Sequence, residues 1–355
     1  MPDLAKRFSQ NPILRPADIC PSFPGMKIEC LLNPGVFRFE GKTWLLLRVA
    51  ERPEQKPGKT SLPILDRDGN LQILDFDNSD PQLDLSDPRV ISYAGQSYLT
   101  TMSHLRLVAS EDGVHFREPS SNRPIFGQGD LESYGIEDCR VVRIGDTYYL
   151  TFTQVSQHGV GVGLRSTTDW REIRSQGMIF PPHNKDCAIF GEKIGDKFYA
   201  LHRPSSPALG GNYLWIAESP DLLHWGNHRC IAHSRKGRWD SARVGAGAAP
   251  IRTPKGWLEI YHGATVNPNR YCLGALLLDL HEPWKVLARS QNPIMEPLAD
   301  YEQVGFFGNV VFTNGHVVDG DEVTIYYGAS DSVICGAKFS IQEILVLLGM
   351  EQEKS

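Results

Sequence analysis

One unit recurs along the chain and limits what it can fold into: a polar or Gly-rich opening, an apolar strand, a Gly-centred turn and an aromatic-rich return strand. It occurs six times. Residues 33–39 (NPGVFRF) turn at Gly41 into 44–47 (WLLL), and 87–91 (DPRVI) turn at Gly95 into Tyr98 and Leu99. Residues 138–144 (DCRVVRI) turn at Gly145 into 147–152, and 184–190 (NKDCAIF) turn at Gly195 into 198–201. Residues 245–250 (GAGAAP) turn at Gly256 into 257–261, and 309–312 (NVVF) turn near Gly320 into 323–327. Repeats of roughly 50–60 residues built from short strands are the mark of a propeller. Each unit leaves an apolar face that only its neighbours can cover, so the array has to close.

A second pattern runs beside the first. Ser110, Asp112 and Phe116, then Ser166, Asp169 and Trp170, then Ser219, Asp221 and Trp225 each place a Ser, an Asp turn and an aromatic after a short apolar strand. These read as outer turns in which Asp sets the chain reversal and the aromatic packs between sheets. The 33 Gly and 24 Pro suit many turns, and 355 residues fit one all-β domain over 1–355. Two segments depart from strand patterning: a short helix is expected near residues 4–8, and a docked helix or strand over 340–348. The formal net charge of −6 argues against a nucleic-acid-binding surface. No leader-like segment and no apolar run of membrane-spanning length is seen, so a cytoplasmic protein with no membrane partner is expected. Seven cysteines, scattered and without metal-ligand spacing, read as buried free thiols, Cys139, Cys187, Cys272 and Cys335 among them. No metal and no cofactor is called for, and a homo-oligomer is left open.

Chemistry is expected at the strand ends. The phrase YGIEDCRV, 134–141, packs Glu137, Asp138 and Arg140 into the mouth of a strand, and makes Asp138 the leading candidate for a proton donor. Other strand ends add Glu51, Arg52, Asp87, Arg89, Lys185, Asp186, His202, Arg203, Arg243, His262 and Asp331. A ring of salt bridges between repeats would explain any one of these. So many charges facing one axis are costly unless a polar ligand meets them. With Tyr134, Tyr213, Trp239, Tyr271, Phe306 and Phe307 nearby in sequence, the set is what a sugar site needs.

The succession LNPGVFRFEGKTWLLLRV, GIEDCRVV, HNKDCAIF, LHRP, GAGAAPIRTPKGWLEIYHG, YCLGALLLDL, ADYEQVGFFGNVVF and YYGASDSVICGA resembles glycoside hydrolase family 130 from about residue 30 to 338. The resemblance implies a five-bladed β-propeller acting on β-mannosides with inversion, with 51–107 partly an insertion carrying an extra hairpin. It implies that Asp138 is the general acid, passing its proton through a sugar hydroxyl, and that Asp331 holds mannosyl hydroxyls. Asp87, Arg89, Arg140 and Asp186, from the strand-end reading, and His262, in the family's YHG segment, are the further expected substrate-binding residues. Lys185, Arg203, Arg243 and Tyr271 fall where the family's phosphorylases bind phosphate. The nucleophile divides the family. Phosphorolysis needs a cationic cradle, whereas inverting hydrolysis needs a second carboxylate to activate water. Lys185 in place of an arginine fork, and Glu51 beside the first strand as a tentative base, set the expectation at hydrolysis by an exo-acting β-1,2-mannosidase. The alternative is a phosphorylase that takes phosphate as co-substrate and releases mannose 1-phosphate. A non-catalytic sugar-binding propeller and a glycosidase acting on another glycan are the remaining alternatives.

Overall fold

The computed structural model describes residues 3–87, 89–120, 123–205 and 209–350. Its strands pair in antiparallel ladders, and the architecture is all-β with two short helices. Five larger sheets follow one another along the chain. The first holds Met26–Phe39, Lys42–Pro53 and Met102–Ser110; the second runs from Ile136–Ile144 through Thr147–Ser156 and Gly159–Thr167 to Arg174–Phe180. The third runs from Asn184–Ile189 through Phe198–Pro204 and Leu214–Ser219 to Gly226–Ala232. In the fourth, Arg243–Gly245 and Ile251–Thr253 both pair with Gly256–Thr265, followed by Arg270–Leu278 and Val286–Arg289. The fifth holds Val311–Asp319, Glu322–Ala329 and Val333–Ser340, and takes Lys6–Arg7 as an edge strand.

The core is divided between sheets. Phe37, Leu46 and Leu107 of the first sheet pack on Ile136, Tyr148 and Leu150 of the second. Second meets third through Val162, Leu164, Ile189 and Ala217, and third meets fourth through Phe190, Leu201, Trp257 and Leu276. Fourth meets fifth through Leu258, Leu273, Val311 and Ile325. Tyr326 and Ile334 of the fifth sheet then pack against Leu31, Val36 and Leu45 of the first, so the last sheet covers the face that the first would otherwise expose. Middle strands are therefore buried on both faces, as in Gly256–Thr265, and read as near-continuous apolar runs; outer strands such as Arg174–Phe180 are largely exposed.

Three innermost strands carry a β-bulge at the same height. The register shifts between Leu32 and Gly35, between Glu137 and Arg140, and between Lys185 and Ala188. A residue of left-handed backbone sits in each: Asn33 at φ 21°, Asp138 at 48° and Asp186 at 54°. Asn and Asp adopt this region at lower cost than other side-chain-bearing residues, and a bulge re-aims the side chain it carries.

Some expectations change and others agree with the structure. Residues 4–8 are not helical: Lys6 and Arg7 pair with Lys338 and Ala337, because so short a segment cannot nucleate a helix while a free strand edge offers it hydrogen bonds. Residues 340–348 give the helix Ile341–Leu347, capped by the Ser340 hydroxyl accepting from the Glu343 amide. The stretch between Lys42–Pro53 and Met102–Ser110 holds two small sheets, Lys59–Leu65 with Leu71–Asp77, and Leu83–Asp84 with Val90–Tyr93 and Gln96–Leu99. The 87–91 segment therefore leads into the second of these small sheets and heads no innermost strand; Pro88 within it lies outside the described residues. The Ser–Asp turns are alike at atomic detail: Asp112, Asp169 and Asp221 each accept from the amides two and three residues on. Asp279 makes a fourth such turn, accepting from His281 and Glu282.

Closure by the fifth sheet makes a testable demand. Ile334→Ala in the closing core and Leu201→Ala in the third sheet should each lower the unfolding free energy by about 2–5 kcal/mol. Both should unfold in one shared transition by denaturant titration. A separate early transition confined to Ile334→Ala would show that the last sheet melts on its own.

Candidate active site

The bulges surround a cavity of about 250 Å³. Arg48, Arg89, Lys185, Arg203 and Arg243 line it, with Glu137, Asp138, Asp186 and Asp331. Aromatic cover comes from Tyr271, Phe306, Phe307 and Phe312, and Asn33, Leu32 and Cys30 complete one wall.

On the acid side Arg48 is central. Its Nη1 donates to Asp138 Oδ1 at 3.0 Å, its Nη2 to Glu137 Oε1 at 2.7 Å and its Nε to the Ser103 hydroxyl at 2.9 Å. The Asn33 amide donates to the same Asp138 oxygen at 3.0 Å. Burial would raise the Asp138 carboxyl, but Arg48, Lys185 and Arg140, together with the Asn33 bond, outweigh it and hold the group below its ordinary range. Asp331, in the turn before Val333–Ser340 and at φ 48°, behaves in the opposite way. Burial pushes it up to about 6 against the pull of Arg48, and the neighbouring Asp138 charge adds to the rise.

Opposite lies a cationic wall. Lys185 and Arg203 face each other directly across Asn184–Ile189 and Phe198–Pro204. Like charges so paired repel unless an anion lies between or beside them. Asp186 supplies part of that, with its Oδ2 3.1 Å from Arg203 Nε and 3.4 Å from His262 Nε2. Burial opposes ionisation of Asp186, yet Arg203, His262 and Arg140 hold it well below the usual carboxylate range. Arg243 donates to the Tyr271 hydroxyl at 2.8 Å. Among the described residues no carboxylate pairs with Lys185 or Arg243. Gly245 is needed for this closeness: a Cβ there would stand 2.5 Å from both Asp186 Oδ2 and the His262 ring.

Of the expected site residues, Asp138, Asp331, Asp186, Arg89, Lys185, Arg203, Arg243, His262 and Tyr271 line the cavity. Glu51 does not. Strand alternation turns Arg48 and Ala50 toward the cavity, and Glu51 with Leu45, Leu47 and Val49 to the other face. There both Glu51 oxygens accept from the Ser22 amide, with His104 Nε2 at 3.5 Å. Asp87 also stays out of the lining and binds Arg89, whose guanidinium lies 4.9 Å over the Phe307 ring. Arg140 is buried behind the cavity rather than exposed to it. Of the aromatics, Tyr134, Tyr213 and Trp239 are absent from the lining. Sequence reasoning missed Arg48, Asn33 and Phe312. The Arg48 signal was an arginine ending an otherwise apolar run, LLLR, on the face opposite Glu51.

A family model described as beta-1,4-mannooligosaccharide phosphorylase matches residues 80–350. The chain belongs to glycoside hydrolase family 130. It is 44% identical over 352 residues, 97% of this chain and 98% of the relative, to a beta-1,2-mannobiose phosphorylase of Listeria innocua. The solved structure of that Listeria innocua enzyme with beta-1,2-mannobiose superposes with a TM-score of 0.93 over 98% of this chain and 99% of that one. A 1,2-beta-oligomannan phosphorylase of Thermoanaerobacter sp. is 37% identical over 247 residues, 68% of this chain and 80% of the relative. A family member reported with hydrolases that target beta-1,2 mannosidic linkages in Candida mannan matches at a TM-score of 0.74 over 96% of each chain. Its identity is 21%, so it bears on the fold alone. The expectation of hydrolysis is thereby overturned: the relatives of high identity are phosphorylases, and the carboxylate expected as base faces away from the cavity.

Arg48 yields a prediction with a sign. Arg48→Gln leaves the buried Asp138 and the half-buried Glu137 without their shared cation and should cost about 3–5 kcal/mol of stability at neutral pH. The loss should shrink as pH falls, because Asp138, held below its ordinary range by Arg48 in the wild type, can protonate in the variant instead of standing as a buried charge without that partner. Denaturant midpoints at pH 7 and pH 4 check this; an equal loss at both would contradict the ion-pair reading.

Proposed function

We propose that this protein is a β-1,2-mannobiose phosphorylase built as a five-bladed β-propeller over 1–355. It would cleave a β-1,2-linked manno-oligosaccharide with phosphate and release mannose 1-phosphate of inverted configuration. One observation carries the reading: Lys185 and Arg203 stand opposite each other beside Arg243, a surplus of positive charge on one wall of a polar cavity. Phosphate is already nucleophilic, so this wall asks for no second carboxylate. The five inter-sheet cores, the last joining the fifth sheet to the first, support the blade count.

The roles follow from charge and reach. Phosphate lies against Lys185, Arg203 and Arg243, with the Tyr271 hydroxyl and the Asp186–His262 pair fixing the cations. The mannosyl unit lies between this wall and Asp138, with Asp331 accepting from its hydroxyls. Phe306, Phe307 and Phe312 give its apolar face a surface. Asp138 delivers the proton to the leaving oxygen through a sugar hydroxyl. A carboxyl held down by Arg48 and Lys185 is a poor acid; phosphate dianion at Lys185 takes up part of that positive charge and lets Asp138 rise. Binding of the nucleophile thus helps to ready the proton donor.

Three measurements test this. With β-1,2-mannobiose and phosphate the product should be mannose 1-phosphate, and in phosphate-depleted buffer turnover should vanish; free mannose formed without phosphate overturns the reading. Lys185→Ala should raise the KM for phosphate about 10–100-fold, the scale of one charge-assisted hydrogen bond, with little change in the sugar KM. Asp138→Asn should keep fold and sugar binding and lose about two to four orders of magnitude in kcat. A variant keeping more than about a tenth of wild-type turnover would remove Asp138 from the acid role.

A further inference from the structure

Arg140 and Glu259 do not touch the cavity, yet they join its two working walls. Arg140 is buried and its guanidinium spends every nitrogen. Nη1 donates to the Asp138 carbonyl at 3.1 Å, Nη2 to Asp186 Oδ1 at 3.4 Å and to the Ala246 carbonyl at 2.8 Å, and Nε to the Gly247 carbonyl at 2.6 Å. One side chain therefore ties the bulge that carries the proton donor to the carboxylate that braces the cationic wall. The same side chain ties both to the Gly-rich segment from which Arg243 extends.

Glu259 stands behind that segment on Gly256–Thr265. It is 1% exposed, and its Oε1 accepts from the Gly247 amide at 2.7 Å. Its Oε2 is buried and without a hydrogen-bond partner among the described residues. The charged group that faces it is Arg140, from Ile136–Ile144. Such a carboxyl is stable only as the neutral acid; an ionised Glu259 would draw Arg140 away from Asp186 and Asp138.

We propose that Arg140 and Glu259 are a positioning pair: the neutral acid keeps Gly247 in place and leaves Arg140 wholly committed to Asp138 and Asp186, and this fixes the distance from proton donor to phosphate. The inference rests on the phosphorylase reading for its kinetic consequence, but not for its structural one. Burial pushes Glu259 up to about 8, opposed by the Gly247 bond and Arg140. Its contribution to stability is then complete below its ordinary value of 4.5 and is lost as pH rises through about 8.

The experiment compares wild type, Glu259→Gln and Arg140→Lys over pH 5–9 (about one unit beyond Glu259's titration at the alkaline end). In wild type kcat for phosphorolysis should fall on the alkaline side near Glu259's titration. In Glu259→Gln, which cannot ionise, that fall should move up by about one pH unit or more, with kcat at pH 6–7 within about threefold of wild type. Melting temperature should decline less from pH 5 to 9 in Glu259→Gln than in wild type, with no substrate present. Arg140→Lys keeps the charge but loses the fork, and should lower kcat at least about tenfold at every pH with a smaller change in either KM. An unchanged alkaline fall in Glu259→Gln, or a melting temperature with wild-type pH dependence, overturns the pair. Failure of wild type itself to use phosphate would instead overturn the phosphorylase reading, and the melting curves would still decide whether Glu259 is held neutral.

Discussion

The left-handed backbone at Asn33, Asp138, Asp186 and Asp331 is the constraint on which the site depends. Each such residue costs on the order of 1 kcal/mol or more, and persists only where the surroundings over-determine it. Here the surroundings are the ladders on either side of each bulge and the neighbouring sheet. Gly35 lets the first sheet approach the second so closely that a Cβ would meet the Cys139 carbonyl at 2.8 Å. The strain is carried by packing between sheets, and in return three strand ends present their side chains to one axis. A regular ladder would send the same residues into the inter-sheet cores.

Once gathered, the charges divide. Arg48 belongs to the acids Glu137 and Asp138, and Asp186 belongs to the cation Arg203. What remains over is positive at Lys185 and Arg243, while Asp331, whose carboxyl is pushed up to about 6, holds its negative charge less firmly than an ordinary carboxylate. An anion is drawn to the first pair and hydroxyl groups to the second. The polarity of the cavity therefore follows from which charges find partners, more than from how many charges it holds.

Much of this was legible in the sequence, and the parts that were not have physical causes. Five of the six repeated units mark the five larger sheets, because each needed a Gly turn and an apolar return strand buried on both faces. The sixth, 87–91, carries the same signals in a small separate sheet, since a hairpin looks alike wherever it docks. Residues 4–8 were misread as helix because an edge strand of two residues has no periodicity to show. In the site, Asp138, Asp186 and Asp331 announced themselves as acids at strand ends. Arg140 misled: two residues from Asp138, it would share that residue's face in a regular strand, but the bulge between Glu137 and Arg140 breaks the alternation and turns it behind the cavity.

Glu51 is the instructive error, because the rule that places it was available. Along Lys42–Pro53 no register shift against Met102–Ser110 interrupts the strand, so period two holds from Leu45 to Glu51. If Leu45, Leu47 and Val49 fill the core against the last sheet, Glu51 must follow them, and Arg48 must face the other way. Parity alone thus takes the base from a hydrolytic mechanism and gives the acid its cation. The burial of Glu51 against the Ser22 amide has no need of catalysis to explain it: a carboxylate accepting twice from one amide secures the segment that precedes the first sheet. Among the described residues no spare carboxylate lines the far side of the cavity and Lys185 and Arg243 lack an acidic partner there, which is the charge balance that the proposed phosphate nucleophile requires.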